Sequence, residues 1–268
     1  MQKLAVKNGK LSPRMKFTII TPTYNRHEKL KRCVQSVLSQ TYTDWEMIIV
    51  NDSPFDRHYE EFASSINDPR IHYHINDTNK GVNYSRNFAM EKASSHSTWT
   101  IFLDDDDYFA PDTLSTLHDL IISHPDKKWF VTNRAYTNGK PVTNYPSPDT
   151  EYSYIRDCLI LKRCRGDVTH CMETKFLNHN KIKYSQYIKQ AEEWIFYYQA
   201  SLKETFYYHD HNSTITDGYD MHNGLNFRKR TRSEQFETLM KFIYEGRELH
   251  LLQHPTFVLY LVMRFVRL

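Results

Sequence analysis

Hydrophobic and polar positions in the first half of the chain alternate between two patterns. Short apolar runs rich in β-branched residues predict strands at residues 16–21, 46–50, 70–75 and 98–103. The segments that follow them carry apolar residues three or four positions apart, as at Leu30, Val34 and Val37, and predict helices. We expect Asn25 to cap the first helix and Glu28 to close a capping box. Strands that alternate with helices favour a mainly parallel sheet covered on both faces, an α/β fold.

The second half of the chain has a less regular pattern. A strand is predicted at residues 129–136, before an Asn138-Gly139 turn, and a loop at residues 140–152. Apolar spacing predicts helices at residues 191–202 and 230–250.

These patterns predict one α/β domain over residues 15–222, made of halves 15–117 and 118–222, and a helical C-terminal extension over residues 223–268. Ligands of open parallel sheets bind at the carboxyl ends of the strands. The polar residues directly after the predicted strands are therefore the first candidates for a site.

Composition narrows the class of protein. The chain has 268 residues, 40% of them apolar, with 19 Tyr and 15 Phe, which suffices for a packed core. A net charge of +3 is too small to indicate nucleic acid as the main partner. The four cysteines include no pair with the two-residue spacing of zinc or redox sites, so we expect reduced thiols in a cytoplasmic protein.

The strongest chemical signal is the acidic run Asp104–Asp107 after the fourth predicted strand. Adjacent carboxylates repel one another unless a cation is present. In extended backbone Asp104 and Asp106 point to the same side, and oxygen ligands suit Mn²⁺ or Mg²⁺. The alternative is a solvated acidic turn before the next helix.

Two other phosphate or metal sites are excluded. An EF-hand loop requires glycine where Phe109 stands. Dinucleotide and P-loop sites require a glycine-rich turn after the first strand, and residues 21–25 contain no glycine. A bound nucleoside diphosphate must therefore be held by a metal and by side chains.

Three sequence blocks in this order resemble the family-2 glycosyltransferases, inverting enzymes of the GT-A fold. The blocks are TIITPTYN at residues 18–25 with SVLSQTY at 36–42, EMIIVNDS at 46–53, and NKGV at 79–82 through Arg86-Asn87 to the acidic run. In the second block the family usually has Asp-Asp-Gly-Ser. Here Asn51 replaces the first Asp, and Pro54 follows Ser53.

The resemblance implies nucleotide-binding roles in residues 15–117. Pro22 and Tyr24 would pack around the nucleobase and ribose, and Asp52 would hydrogen-bond the base, most often uracil. The alternatives are that Tyr24 is a core aromatic and Asp52 a turn residue.

The acidic run and the predicted helix before its strand acquire roles in the same way. Asp104 would contact the ribose or sugar, and Asp106 would ligate the metal. Arg86 would reach the phosphates or the sugar, unless it is an ordinary arginine on a helix surface.

The acceptor half, residues 118–222, carries two weaker matches. Glu192-Glu193-Trp194 resembles the family's Glu-Asp-Trp motif, whose second acid is the catalytic base, which points to Glu193. Because glutamate is longer than aspartate, Glu192 remains an alternative, and both acids could simply favour the positive end of a helix. His211 lies in a His-X-Ser segment and would contact the metal or diphosphate, or else decorate the surface.

The resemblance therefore implies a metal-dependent hexosyl- or N-acetylhexosaminyltransferase. The donor would be a nucleoside-diphosphate sugar, first of all a UDP-sugar, and the acceptor a hydroxyl of a glycan or lipid-linked molecule in surface polysaccharide or glycolipid assembly. The alternative is a catalytically decayed sugar-nucleotide or glycan-binding module. A nucleotidyltransferase is disfavoured because its glycine-rich, arginine-containing loop is missing.

The C-terminus suggests a surface partner. Residues 254–268 combine an apolar run with Arg264 and Arg267. The apolar run is too short to span a bilayer, but a helix of this composition suits the interface of an anionic leaflet. We expect peripheral docking on the inner face of the cytoplasmic membrane. The alternative is that Phe257, Leu261 and Phe265 pack on the catalytic domain or form a dimer contact.

Overall fold

A central mixed β-sheet organises the molecule. The computed structural model describes residues 6–7, 10–11, 15–188, 193–217 and 231–266. The strands are β1 (Val6–Lys7), β2 (Lys10–Leu11), β3 (Phe17–Thr23), β4 (Trp45–Asn51), β5 (Ile71–Ile75), β6 (Trp99–Phe102), β7 (Asp107–Phe109), β8 (Trp129–Tyr136), β9 (Thr150–Tyr152), β10 (Val168–Glu173) and β11 (Phe206–Thr216). Strands β1 and β2 pair antiparallel in a separate two-stranded sheet. The central sheet has the order β5-β4-β3-β6-β10-β8-β11-β7, with β9 also paired to β11.

Helices cover the sheet and continue into the C-terminal region. They are α1 (His27–Leu38), α2 (Arg57–Ser65), α3 (Val82–Lys92), α4 (Thr113–Ser123), α5 (Thr174–His179), α6 (Trp194–Ser201), α7 (Arg232–Glu248) and α8 (Pro255–Phe265). A π-helical segment at Tyr154–Ile160 and a 3₁₀ turn at Leu251–Gln253 complete the described regular structure. Among the described residues, no helix combines the length and hydrophobicity needed to cross a membrane.

The first half of the sheet is parallel, which confirms the predicted alternation of strands and helices. Strand β3 pairs in parallel with β4 and β6, and β4 with β5. Every residue of β3 and β4 is buried because helices cover both faces. Ile19 packs in one core with α1 and α4, whereas Ile20 packs on the other face against Ala89 of α3. The carboxyl ends of β3, β4 and β6 therefore lie at one edge.

The second half adds antiparallel pairs that the sequence pattern did not indicate. Strand β10 lies between β6 and β8 and is antiparallel to both. Strand β11 runs parallel to β8 and antiparallel to β7, with register shifts between His209 and Thr214. This arrangement places β8, β10 and the segment before α6 beside the carboxyl end of β6.

The C-terminal helices pack against the domain. Phe257 and Leu261 of α8 are buried in a cluster with Trp194 of α6 and Phe242 of α7, whereas Phe265 is 54% exposed. Of the three residues that the alternative prediction packs on the catalytic domain, Phe257 and Leu261 thus lie in the protein core. The predicted division at residues 222 and 223 falls outside the described residues and stays a prediction.

Candidate active site

A cleft of about 1110 Å³ lies at the carboxyl edge of the parallel strands. It brings together predicted site residues from both halves of the chain, which are Pro22, Tyr24, Asp52, Arg86, Asp104, Asp106 and Glu193. Glu192, the alternative base, lies outside the described residues. The roles predicted for these side chains stay predictions, but the described ones share one cavity.

Asp104 and Asp106 lie on the same side, as predicted, but because the chain turns at Asp105 and Asp106 and not because the run is extended. Carboxylate oxygens of Asp104, Asp106 and Asp107 lie within 4.8 Å of one another. Asp105 points elsewhere and accepts a hydrogen bond from Thr23 Oγ1 at 2.7 Å. Asp107 joins the cluster because the chain turns there, with the Asp107 N–H donating to the Asp104 carbonyl at 3.1 Å.

Three arginines from distant elements offset the negative charge of this cluster. Arg86 Nη2 lies 2.7 Å from Asp104 Oδ1. Arg134 Nη2 lies 2.8 Å from Asp107 Oδ2. Arg26 Nη1 lies 2.7 Å from Asp106 Oδ2. The site therefore holds alternating acidic and basic groups, an arrangement suited to binding both a cation and an anion.

Burial acts on the proton affinity of these carboxyl groups. Desolvation raises the pKa of Asp105 to about 7, although Arg26 opposes the shift. It also raises the pKa of Asp107 to about 7, against Arg134. Asp104 differs: burial would raise its pKa, but Arg86 and Arg134 lower it below the ordinary value.

The cluster fits a hard divalent cation. It supplies only oxygen donors, from three carboxylates that converge within 4.8 Å. Repulsion from neighbouring carboxylates adds to the desolvation that raises the pKa values of Asp105 and Asp107. Mn²⁺ and Mg²⁺ prefer such ligands.

Arg86 is not an arginine on a helix surface. It is 4% exposed, and its guanidinium lies 5.1 Å from the centroid of the Tyr184 ring. It forms ion pairs with both Asp104 and Glu193. Arg86 thus connects the acidic cluster to the candidate base across the cleft.

Asp52 and Tyr24 border the other end of the cleft. The Asp52 carboxylate accepts hydrogen bonds from Asn76 Nδ2 at 2.7 Å, Lys80 N at 2.8 Å and Gly81 N at 2.7 Å. It therefore anchors the turn before α3 while it lines the cavity. Tyr24 is 50% exposed, which excludes the core alternative and leaves its ring accessible to a ligand.

His211 does not join the acidic cluster. Its Nδ1 lies 2.9 Å from Ser213 Oγ, and its Nε2 lies 3.3 Å from Asp112 Oδ1. It is not among the residues that line the cleft. A metal or diphosphate contact by His211 stays a prediction that this geometry does not support.

A further histidine, His170 of β10, lines the cleft although the sequence did not single it out. Its Nδ1 accepts a hydrogen bond from Trp129 Nε1 at 3.0 Å, and its ring stacks on Tyr197 at 3.9 Å. Desolvation and Arg134 lower its pKa to about 3. His170 is therefore a neutral ring whose Nε2 carries the proton. With 14 histidines in the chain, nothing local distinguished this one.

A second group with potential metal ligands consists of His27, Asp56 and His58. The two imidazole rings stack at 4.5 Å with an interplanar angle of 6°. Imidazole lone pairs lie in the ring planes, and near-parallel planes do not converge on one ion. Asp56 instead accepts hydrogen bonds from the backbone and ring of His58 and caps α2.

Comparison with known proteins agrees with this architecture. The family model described as Glycosyl transferase family 2 matches residues 18–183, more than half of the chain. A glucosyl-dolichyl phosphate glucuronosyltransferase of Haloferax volcanii is 36% identical over 117 residues, which are 42% of this chain and 36% of that protein. The poly(ribitol-phosphate) β-N-acetylglucosaminyltransferase TarS of Staphylococcus aureus is 24% identical over 192 residues, 70% of this chain and 33% of TarS.

A solved structure extends the comparison to the fold. The crystal structure of TarS 1–349 in complex with UDP-GlcNAc superposes with a TM-score of 0.70 at 20% identity, over 85% of this chain and 66% of that one. The chain spans well under two thirds of the length of the curated relatives above. Because the family model covers more than half of the chain and the fold matches that of TarS, the chain belongs to glycosyl transferase family 2 and has the GT-A fold.

Proposed function

We propose that this protein transfers a sugar from a UDP-sugar to a hydroxyl of a glycan or lipid-linked acceptor, with inversion at the anomeric carbon. The observation that carries this proposal is the placement of the Asp104–Asp106–Asp107 cluster and Glu193 in one cleft, joined by Arg86. Family membership supports the reaction class. The pathway would be surface polysaccharide or glycolipid assembly.

Asp104, Asp106 and Asp107 would hold Mn²⁺ or Mg²⁺, since they converge and provide only oxygen donors. Such an ion, when bound, neutralises charge on a departing diphosphate. The remaining chemistry belongs to side chains of the chain itself. Tyr24 and Pro22 offer contact surface for a nucleoside, and Asp52 has lone pairs beyond its three internal hydrogen bonds.

Glu193 is the proposed general base. Its carboxylate faces the cleft and is oriented by the ion pair with Arg86, which is itself held by Asp104. A positioned carboxylate takes the proton of the attacking hydroxyl as the bond to the anomeric carbon forms. One displacement inverts that carbon and requires no covalent sugar–enzyme intermediate.

The donor is proposed as a UDP-hexose or UDP-N-acetylhexosamine. The structural neighbour TarS has been solved with UDP-GlcNAc, which makes this compound the first donor to test. The acceptor side of the cleft is lined by aromatic side chains, including Tyr145, Tyr154 and Tyr260. Their apolar faces suit packing against sugar rings.

Substitution of Asp106 tests the metal-dependent part of the proposal. We expect Asp106→Ala to abolish transfer and Mn²⁺-dependent UDP binding in calorimetry, because one of three converging carboxylates is lost. The fold should survive because the Asp106 side chain is one-third exposed. The exposed Asp126, outside the cleft, provides the control Asp126→Ala, which should bind UDP as the wild type does.

Near-normal turnover of Asp106→Ala, or full wild-type activity in excess EDTA, would contradict the metal role. UDP-sugar binding without transfer to any member of a broad acceptor panel would instead favour the non-catalytic binding module.

We further propose peripheral attachment through α8. Besides the buried Phe257 and Leu261, this helix exposes apolar side chains at Val258, Leu259, Val262 and Phe265, and Val266 is exposed at its C-cap; together they form the exposed strip of α8. Tyr260 and Arg264 of the same helix line the cleft. A membrane surface at α8 would therefore bring a lipid-linked acceptor close to the active site.

A further inference from the structure

We propose that Arg26 occupies the cation's place on Asp106 in the ligand-free protein and moves to the donor diphosphate when metal and nucleotide bind. This inference rests on the proposed function, since it presupposes a nucleoside diphosphate and a divalent cation in the cleft. It assigns Arg26 a positioning role that couples the two ligands.

The contacts of Arg26 place a positive charge on a candidate metal ligand. Arg26 Nη1 lies 2.7 Å from Asp106 Oδ2 and 3.3 Å from Asp105 Oδ1. Asp106 contributes one of the three carboxylates that converge within 4.8 Å. A guanidinium and a divalent cation repel each other and compete for the same oxygen, so a metal on Asp106 must displace or shift Arg26.

Among the three arginines that form ion pairs with the carboxylates of the acidic cluster, Arg26 is the one best able to move. Its side chain is 34% exposed, compared with 5% for Arg86 and 17% for Arg134. Arg86 lies between Asp104 and Glu193. Arg134 forms ion pairs with both Asp107 and Asp167. Displacement of either would leave buried charges unpaired, whereas Arg26 has solvent around it.

The backbone of Arg26 is fixed while its side chain projects into the cleft. Its N–H donates to Tyr59 Oη at 2.8 Å, and that hydroxyl also bonds Thr23 Oγ1 at 2.7 Å. Asn25 has φ +54°, which turns the chain sharply between β3 and α1. A long side chain on a fixed backbone can exchange partners without any change in the fold.

A diphosphate is the natural second partner for this guanidinium. Tyr24, two residues before Arg26, lines the same cleft with an exposed ring. A nucleotide that contacts Tyr24 therefore comes within reach of Arg26. Guanidinium groups bind phosphate oxygens through paired, charge-assisted hydrogen bonds.

This exchange makes metal and nucleotide binding cooperative. The metal displaces Arg26 from Asp106, and the diphosphate stabilises the displaced side chain. Each ligand therefore tightens the binding of the other by the same factor. Removal of Arg26 should strengthen binding of the metal alone and weaken binding of the nucleotide.

The experiment measures Mn²⁺ affinity by paramagnetic resonance of free Mn²⁺, with and without saturating UDP, for the full chain and its variants. In Arg26→Gln we expect Mn²⁺ alone to bind about fivefold more tightly, the factor that corresponds to loss of a partly exposed ion pair. UDP at saturating Mn²⁺ should bind about tenfold or more weakly, because a charged hydrogen-bond donor to phosphate is lost.

Two further variants separate exchange from simple structural support. Arg26→Lys retains a charge, so its Mn²⁺ affinity without UDP should stay near the wild-type value and its UDP affinity should partly recover. Lys29→Gln removes another cation that lines the cleft, one turn along α1. It should leave the Mn²⁺ affinity measured without UDP unchanged.

The inference is overturned if Mn²⁺ alone binds Arg26→Gln no more tightly than the wild type, or if Lys29→Gln produces the same gain. It is also overturned if Arg26→Gln leaves UDP affinity unchanged. A wild-type protein that binds neither Mn²⁺ nor UDP would instead refute the proposed function and this inference together.

Discussion

At the scale of single residues, the sequence located the acidic cluster but not the groups that balance it. The sequence grouped Asp104 with Asp106 on the premise of extended backbone, whereas a turn at Asp105 and Asp106 brings the two carboxylates together. Arg26 and Arg134 reach the cluster from β3–α1 and β8, and such long-range ion pairs leave no local pattern. The motif resemblance named Arg86 but not its contact with Glu193.

The base assignment can be tested at residue scale with an isosteric change. Glu193→Gln retains a hydrogen-bond acceptor for Arg86 but cannot take a proton. We expect turnover to fall by about a hundredfold or more, because general base catalysis contributes that much, while donor binding measured by calorimetry survives. Glu192→Gln is the matched control. If Glu192→Gln is inactive and Glu193→Gln is active, the assignment is wrong by one residue.

His170 predicts a pH dependence of stability. Its pKa is lowered to about 3 in the folded protein from an ordinary value of 6.5. Between these values the unfolded chain binds a proton that the folded protein does not. The contribution of His170 to the free energy of unfolding should therefore decrease as pH falls below 6.5, by about 3 kcal/mol at most by pH 4. Asp105 and Asp107, whose pKa values are raised to about 7, contribute in the opposite sense over the same interval.

His170→Asn isolates this contribution, because an amide oxygen can still accept from Trp129 Nε1 but does not titrate in this range. In denaturant titrations at pH 7 and pH 4, the change in the free energy of unfolding should be less favourable in the wild type than in the variant, by about 3 kcal/mol at most. Equal changes in the two proteins would show that His170 makes no such contribution.

At the scale of secondary-structure elements, local patterns located helices better than they described helix ends. Helix α1 contains the predicted apolar positions Leu30, Val34 and Val37, but the predicted cap is wrong: Arg26 is the N-cap, without a side-chain hydrogen bond. Asn25 instead adopts φ +54°, and its Oδ1 accepts from Ser53 Oγ at 2.9 Å. This contact joins the turns after β3 and β4, a tertiary demand that local propensity does not contain.

Strands of the second half were missed for a related reason. Strand β11 has the sequence FYYHDHNSTIT. It pairs with β8 along its length, with β9 near its start and with β7 near its end. Strand β10 obtains its hydrophobic contacts from β6 and β8 on either side. Neither has the regular apolar alternation of a strand with one solvated face.

The loop that borders the cleft after the π-helical segment depends on Gly166. Gly166 has φ +82°, and a Cβ there would lie 2.1 Å from the Val142 carbonyl oxygen. Gly139 has φ +79°, but a Cβ there would meet nothing within 4 Å. Both Ala substitutions carry the cost of left-handed backbone, about 1–2 kcal/mol, so they differ mainly in the steric clash.

We therefore expect Gly166→Ala to lower the free energy of unfolding by about 1–3 kcal/mol more than Gly139→Ala, as overpacking typically does. Chemical denaturation of both variants measures the difference. Equal destabilisation would mean that the Val142 and Gly166 segments separate without cost.

At the scale of the whole molecule, the sheet topology was predictable where strands that are neighbours in the sheet are also close in sequence. The first half is built of successive strand–helix units whose neighbours in sequence are neighbours in the sheet, so its pattern predicted its topology. The second half inserts β10 and β11 between strands formed earlier in the chain. The cleft needs both halves, which explains why the sequence named more cleft-lining residues from the first half than from the second.

The C-terminal region shows how packing divides one apolar helix between two roles. Phe257 and Leu261 are held in the core with Trp194, so deletion of α8 would damage the fold and could not test a membrane contact. Val262 and Phe265, by contrast, are more than half exposed. Substitution at these two positions changes the exposed strip of α8 and leaves the buried Phe257 and Leu261 intact.

Membrane docking is therefore best tested by adding charge to the exposed strip of α8. We expect the wild type to sediment with liposomes that contain anionic lipid and to dissociate as salt increases, because apolar insertion and basic residues act together. Val262→Asp combined with Phe265→Asp should abolish sedimentation, since charged side chains resist burial in the interface. Ile122→Asp places the same charge on α4 at a position 43% exposed and should sediment like the wild type. If the double variant still sediments, or the wild type never does, the exposed strip of α8 has another partner, and a concentration-dependent dimer in the wild type that is lost in the double variant would identify it as a second copy of the chain.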